Sequence, residues 1–403
     1  MPAMSHPGAE PSYRVVVAAL AAGQLLCWAA LYYGFSSFVI PMQDDLHWSN
    51  PILMGAFSAG LATWGAASYA VGAAIDRGYG RAVLTGGAAL AGLGFIAWSW
   101  VIAPWMLFVV WAALGVSMAM TLYDPAFTVL TKRYPERYRE GITTLTLVGG
   151  FASTLSFPAV AWLMPALGWR GALTAIGVTL LVGVAPLHAW ALRGALVQSA
   201  APRRDARADS TLDEALRSSA FWLLALAFTL YAFASAALWA HVMPAFASKG
   251  LGAADALAVV VWIGPAQVAG RWVYAWIGRA WSLRTLGSIV LLGLPLSLGL
   301  FAVARSLWLL WIFAALFGIA NGLITIVRGG LVPEYFGRTH IGRIGGALSA
   351  VGLLARAAAP LISAWLLLAL QGYRELLLLL AALGLVAAIS FWLARAPSPG
   401  PGE

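Results

Sequence analysis

With one cysteine in the chain, Cys27, no intrachain disulfide, Cys-x-x-Cys redox pair or cysteine metal cluster can form. Lysine is almost as scarce, occurring only at Lys132 and Lys249. The five histidines (His6, His47, His188, His241 and His340) lack metal-ligand spacing and read as tail, loop and span-end residues. No Gly-x-x-x-x-Gly-Lys-Ser/Thr phosphate loop, His-Glu-x-x-His pair or complete Gly-x-Gly-x-x-Gly occurs, so the expected energy source is an ion or solute gradient and not ATP. No catalytic constellation emerges either. The expectation is a chain with no metal or cofactor and no enzymatic role. Charge is the deepest deficit: 10% of the residues are charged, 62% are hydrophobic, and the mean hydropathy is +0.84. That composition excludes a soluble domain and makes the lipid bilayer the first partner. A net charge of +9 on a soluble chain would suggest nucleic acid; here it lies mostly in loops on one side, so no nucleic-acid role is expected.

Apolar runs of spanning length fall at roughly 14–40, 51–74, 82–103, 105–130, 142–166, 171–192, 219–246, 255–277, 285–304, 307–332, 344–370 and 374–394. The expected fold is therefore an all-α polytopic membrane protein of about twelve helices. With the N-terminus inside, 17 Lys and Arg residues face the cytoplasm, 4 face the other side and 3 remain within spans. Both termini are expected in the cytoplasm, with the chain in the cytoplasmic (inner) membrane. The first run is too long for a signal-peptide core and reads as a retained span. Tryptophans such as Trp98, Trp100, Trp105 and Trp308 are expected in interfacial belts.

The only long polar interruption, residues 194–217, separates six runs from six. This divides the chain into an N-terminal six-helix bundle (1–193), a cytoplasmic linker (194–217) and a C-terminal six-helix bundle with a disordered tail (218–403). Thr211 and Glu214 have capping-box spacing and predict a short surface helix in the linker. Pro41 and Pro244, Arg81 and Arg284, and Gly115 and Gly318 are each 203 residues apart, and GlyTrpArg at 168–170 recurs as GlyTyrArg at 372–374. One near-constant offset marks a duplicated six-helix unit. Parallel repeats of this kind build transporters with the site between the halves.

Residues Gly72 to Arg81, GAAIDRGYGR, place three charges between two spanning runs. With the span count, the linker and the repeat, this loop resembles the signature of the major facilitator superfamily over essentially the whole chain. HisTrpSer at 47–49 and RYPERYREG at 133–141 look like bacterial relatives of the monocarboxylate transporter branch. Gln267 and Arg271 stand where that branch carries an Asp and an Arg, and its first-span lysine has no counterpart. The resemblance implies a gating loop of Gly72, Asp76, Arg77, Gly78, Gly80 and Arg81, with Asp76 latching to the N-terminus of the eleventh span near Arg343. At the repeat offset Arg279 and Ala280 replace Asp76 and Arg77, so the latch is expected in one half only.

Four ionisable residues fall inside spans: Asp124, Arg271, Arg328 and Arg356. Each needs a partner or a watery cavity. The resemblance puts the first, fourth, seventh and tenth helices around the cavity, and the repeat puts Asp124 and Arg328 at nearly equal depth. Two readings of Asp124 stay open, a charge pair across the halves and a proton carrier. Arg356 lies near the bilayer midplane, as a ligand group or as a structural cap beside Pro360; Arg271 either serves the site or snorkels to the interface. Three arginines against one aspartate favour an anionic cargo held by a guanidinium fork. Tyr32, Tyr33, Tyr123 and Asn321 are candidate donors beside it. The expected function is secondary transport of a small organic anion such as a monocarboxylate by a monomer. The alternative is proton-coupled export of amphipathic or cationic compounds.

Overall fold

The computed structural model describes residues 11–194, 209–276, 281–370 and 372–396. Among them every regular element is helical, and twelve long helices account for the apolar runs. They are α1 (13–46), α2 (Asn50–Ala74), α3 (Gly80–Ser99), α4 (Pro104–Arg133), α5 (138–167), α6 (169–191), α7 (Ser219–Ala247), α8 (253–276), α9 (Leu283–Val303), α10 (Leu307–Phe336), α11 (Ile341–Leu370) and α12 (Tyr373–Leu393). Helices are what a bilayer permits, because each satisfies its own backbone polar groups.

The boundaries follow local chemistry. Pro51 and Pro104 sit in the first turns of α2 and α4, where a missing N–H costs nothing. Ser218 and Ser282 accept the backbone N–H of Phe221 and Thr285 and so start α7 and α9. Two turns need glycine: Gly78 between α2 and α3 has φ +97°, and Gly168 between α5 and α6 has φ +63°. Both helices on either side of Gly78 pack on α4, so the chain doubles back there. The Thr211–Glu214 capping box is present and starts the short helix Leu212–Arg217. The tail, the linker up to residue 208 and the loop carrying Arg279 and Ala280 lie outside the described residues.

The repeat is visible in the packing. A side chain at Gly115 would meet the Gly60 carbonyl and the Thr63 hydroxyl, so α4 lies backbone-close on α2. Gly318 meets the Ile263 carbonyl and Ala266 in the same way, bringing α10 onto α8. All three positions are displaced by 203 residues. The buried apolar residues segregate likewise, one cluster drawn from 215–394 and two from 16–192, with Leu353 as the single exchange among them.

The halves meet along α2 and α11. Gly72 and Gly342 touch carbonyl to Cα, Gly346 sits on Ser68, and Gly65 sits on Leu353. This seam begins at the end of the molecule where α4 stops, α10 turns into α11 and residue 209 emerges, here termed the linker face. Beyond Leu353 it ends: Leu361, Trp365 and Leu368 of α11 are 62%, 69% and 84% exposed. The two halves are therefore closed together at the linker face.

One expectation from composition needs correction. Trp98 is not an interfacial residue; it is fully buried, with its ring against Phe35, Phe38, Phe95 and Trp111. His188 lies in the last turn of α6, at a span end as expected, and is fully buried, with Nδ1 3.3 Å from the Leu84 carbonyl.

Candidate functional site

Helix α4 breaks where the sequence places Pro125. Its ring nitrogen cannot bond the Thr121 carbonyl four residues back, and Leu122 leaves the helical region with ψ −159°. The freed acceptors are taken by a side chain from α1: Gln24 Nε2 donates to the carbonyls of Thr121 (2.6 Å) and Leu122 (3.3 Å). Gln24 is fully buried and was not singled out by the sequence, although a buried amide opposite an intramembrane proline is the signal that would find it. The break starts a second helical segment at Tyr123 and puts Asp124 in its first turn, where the helix dipole favours a carboxylate.

Helix α1 carries a π-turn at Ala29–Tyr33. In a π-turn the i and i+5 residues become neighbours, so Trp28 meets Tyr33 as well as Tyr32. Its ring centroid lies 5.4 Å from Tyr32, 6.4 Å from Tyr33, 5.9 Å from Trp64 and 4.9 Å from Tyr123. Tyr32 and Tyr33 are 5.3 Å apart, and Tyr32 is 6.1 Å from Phe57. The first half thus turns an aromatic wall toward the second.

Helix α11 serves as a ruler across the interface, since Gly342, Ser349 and Arg356 recur every seven residues, about 10 Å apart on one face. At Gly342 the two halves are clasped. Asp76, only 4% exposed at its side chain, accepts the backbone N–H of Gly342 (2.9 Å) and of Arg343 (2.8 Å) and pairs with Lys132 (3.0 Å). Lys132 also donates to the Thr339 carbonyl at 2.8 Å. Arg343 joins through its backbone and not through its charge. Asp209, at the described end of the linker, accepts from the backbone N–H of Arg338 and Thr339 and from the Thr339 hydroxyl. An ion pair between Arg139 and Glu334 lies in the same layer. Arg77 and Arg81 are exposed and Gly78 makes the turn; Gly80 begins α3.

At the level of Ser349, Arg328 donates to its hydroxyl (2.9 Å) and stands 3.7 Å from the Asp124 carboxylate. The Phe228 ring lies 6.0 Å from the guanidinium. A small cavity of about 50 Å³ opens beside the pair, lined also by Ser68 and Thr128. The next layer is that of Arg356, the sixteenth of thirty residues in α11. Asn321 of α10 and Ser235 of α7 stand two turns along their helices from Arg328 and Phe228. Tyr33 lies within electrostatic range of both Arg356 and Arg271, and Tyr231 within range of Arg356. Tyr231 and Ser235 are buried beside each other without a hydrogen bond of ordinary geometry. Among the described residues the Arg356 guanidinium has no hydrogen bond, carboxylate or ring partner, and Ser363, beyond Pro360, donates to the Ala359 and Pro360 carbonyls.

Arg271 behaves differently from the snorkelling expectation. It is 5% exposed, its Nε donates to the Gly322 carbonyl at 2.9 Å, and its guanidinium lies against Gly150 of α5. The space exists because positions 150 and 322 lack side chains; one added at Gly322 would strike Gln267. Tyr123 packs on Gly149 next to it. Among the described residues no cluster of histidine, cysteine or carboxylate groups has the form of a metal site.

Comparison with known proteins matches residues 20–304 to the family described as the Major Facilitator Superfamily. No curated protein matches the chain in sequence. In structure it is similar to the human organic anion transporter MFSD10 (TETRAN), with TM-score 0.73 and 17% identity over 95% of this chain and 100% of that one. It is also similar to a single-substitution variant of the E. coli fucose:proton symporter FucP, with TM-score 0.74 and 14% identity over 96% and 100%. FucP in the outward conformation matches with TM-score 0.70 and 14% identity over 94% and 98%. At these identities the likeness is one of fold.

Proposed function

From the premise that the chain belongs to the major facilitator superfamily, we propose that it is a secondary active transporter of a small organic anion, working by alternating access in the cytoplasmic membrane. The observation that carries this reading is the uncommitted Arg356 at mid-depth between the halves. Of the four charges within spans, Asp124 and Arg328 offset each other, and Arg271 is held by a carbonyl. One guanidinium remains for a ligand, and the interface keeps a net positive charge that repels cations. A midplane arginine left unpaired is expensive, by at least ~2.5 kcal/mol on insertion scales, so an anion or water must complete it.

The linker face is the cytoplasmic one on the positive-inside count, which makes the closed Asp76 layer a cytoplasmic gate and this conformation outward-facing. Gly72, Gly342 and Asp76 hold that gate, and rocking of the halves about the α2–α11 seam exchanges access. The 1–193 and 218–403 units move as the two rigid halves. Asp124, breakable from Arg328, carries the coupling proton.

Uptake into proteoliposomes across a panel of radiolabelled carboxylates tests the reading. Transported acids should lose affinity by roughly 10- to 150-fold in Arg356→Gln, the equivalent of one charge-assisted hydrogen-bond fork at about 1.5–3 kcal/mol. Unchanged affinity in a folded variant, or efflux of cationic dyes with no anion flux, overturns it.

A further inference from the structure

The Arg356 layer has two unlike walls. The first half contributes six rings in one contact chain: Trp28 at the centre, Tyr32, Tyr33, Trp64 and Tyr123 around it, and Phe57 behind Tyr32. Trp64 is buried and the other five are partly exposed. The second half contributes Arg356 and the Tyr231 and Ser235 hydroxyls. This asymmetry is built into the backbone, since the π-turn of α1 brings both tyrosines against Trp28 and the break at Leu122 delivers Tyr123 to the same cluster. Neither device is needed to span a membrane.

An acid of two or three carbons satisfies only one wall. It can occupy the guanidinium fork but leaves the rings facing water. A ligand that completes both walls has an anionic head and a flat apolar body. Aromatic rings also attract cations through their faces, so charge must decide between the two kinds of flat ligand. Arg271 and Arg356 both act on Tyr33, while the one carboxylate within spans, Asp124, adjoins Tyr123 in sequence but is paired with Arg328 at 3.7 Å. The field at the rings is positive and rejects a cation. Resting on the anion reading above, we infer that the cargo is an aryl or similarly planar carboxylate, bound with its carboxylate on Arg356 and its ring system against Trp28, Tyr32 and Tyr33.

Ligand-dependent thermal stabilisation of the purified full-length protein, with 2-naphthoate, propionate and 2-naphthylmethylammonium as probes, tests this. 2-Naphthoate should bind at least tenfold tighter than propionate, and the amine should not compete. Tyr32→Ala should weaken 2-naphthoate at least tenfold with less than a twofold effect on propionate, while Tyr32→Phe, which keeps the ring, leaves their ratio unchanged. Arg356→Gln should weaken both acids. Equal binding of the two acids, both lost in Arg356→Gln, overturns the aromatic inference and leaves the anion reading standing. Binding of neither acid overturns both. Competition by the amine, or an acid ratio unmoved by both Tyr32→Ala and Trp28→Leu, overturns the inference alone.

Discussion

Replacing Asp76 by asparagine exchanges one carboxylate oxygen for an NH₂ group and tests whether the linker-face clasp holds the halves together. The carboxylate accepts two backbone N–H groups and a lysine ammonium at once, at 2.8 to 3.0 Å. Asparagine keeps one acceptor and presents an NH₂ to a donor. The Asp76–Lys132 attraction at 3.0 Å is about 5 kcal/mol gross at an effective dielectric of 20, and desolvation offsets most of it. The net loss is better taken from one charge-assisted hydrogen bond, about 1.5–3 kcal/mol, plus the helix-dipole contribution of about 0.3–1 kcal/mol. These interactions exist only in the closed state, so the substitution should favour opening at the linker face by about 2–4 kcal/mol, or roughly 30- to 700-fold. A conformer populated at about 1% would rise to between roughly 20% and 90%. Because Cys27 is the sole cysteine and is buried, a Cys27→Ser background carrying Thr128→Cys gives a reporter in the small cavity beneath the clasp. Labelling by a membrane-impermeant maleimide from the linker face should accelerate at least tenfold in Asp76→Asn. A rate within twofold of the parent, in protein that still folds, would refute the clasp as the element that holds this conformation.

Gly342→Ala should produce the same accelerated labelling without removing a charge, because its added carbon would strike the Gly72 carbonyl and crowd the Asp76 carboxylate. Gln24→Leu should lower the thermal midpoint by an amount equivalent to about 1–3 kcal/mol, since it strands the buried Thr121 carbonyl, whereas Gln24→Glu should lower it more by placing a carboxylate against two carbonyls. Asp124→Asn should abolish proton-driven accumulation in proteoliposomes while preserving exchange of cargo across a symmetric pH; retained accumulation removes Asp124 from the coupling step. At Glu214 the carboxylate is held below its ordinary pKa, first by the Thr211 backbone N–H at 2.6 Å. Its contribution to the linker helix is therefore present above pH 4.5 and lost as pH falls through the depressed value, so exchange protection of residues 212–217 should drop on acidification and not in Glu214→Gln.

The fold was legible because a bilayer leaves few choices: twelve apolar runs long enough to span became twelve helices, and a 203-residue offset in the sequence reappears as the paired Gly115–Gly60 and Gly318–Ile263 approaches. What hydropathy does not encode is where a helix bends. Pro125 announces a missing hydrogen bond, but nothing local to it says that Gln24, about a hundred residues earlier, supplies the replacement. The π-turn at Ala29–Tyr33 is equally silent, because its sequence is that of an ordinary apolar helix. These two irregularities assemble the aromatic wall, which is why Tyr32, Tyr33 and Tyr123 stood out as separate donors in the sequence and their common partner Trp28 did not.

Charge shows the same limit from the other direction. Sequence marks each of the three arginines within spans as a cation in an apolar run and leaves a structural and a functional reading open for each. Geometry separates them by their partners: a carboxylate and a serine for Arg328, a carbonyl and two glycines for Arg271, and no formal partner for Arg356. Tolerance of a charge in a membrane therefore depends on pairing and not on position alone, and the arginine left without a partner is the one whose stabilisation must come from a ligand. Arg271 and Arg328 are each stabilised by the protein itself, so their removal should perturb folding and gating first. Removal of Arg356 should perturb affinity first. Parallel measurement of thermal midpoint and carboxylate affinity in Arg271→Gln, Arg328→Gln and Arg356→Gln separates these roles, and a loss of stability in Arg356→Gln as large as in the other two would mean that all three arginines are structural.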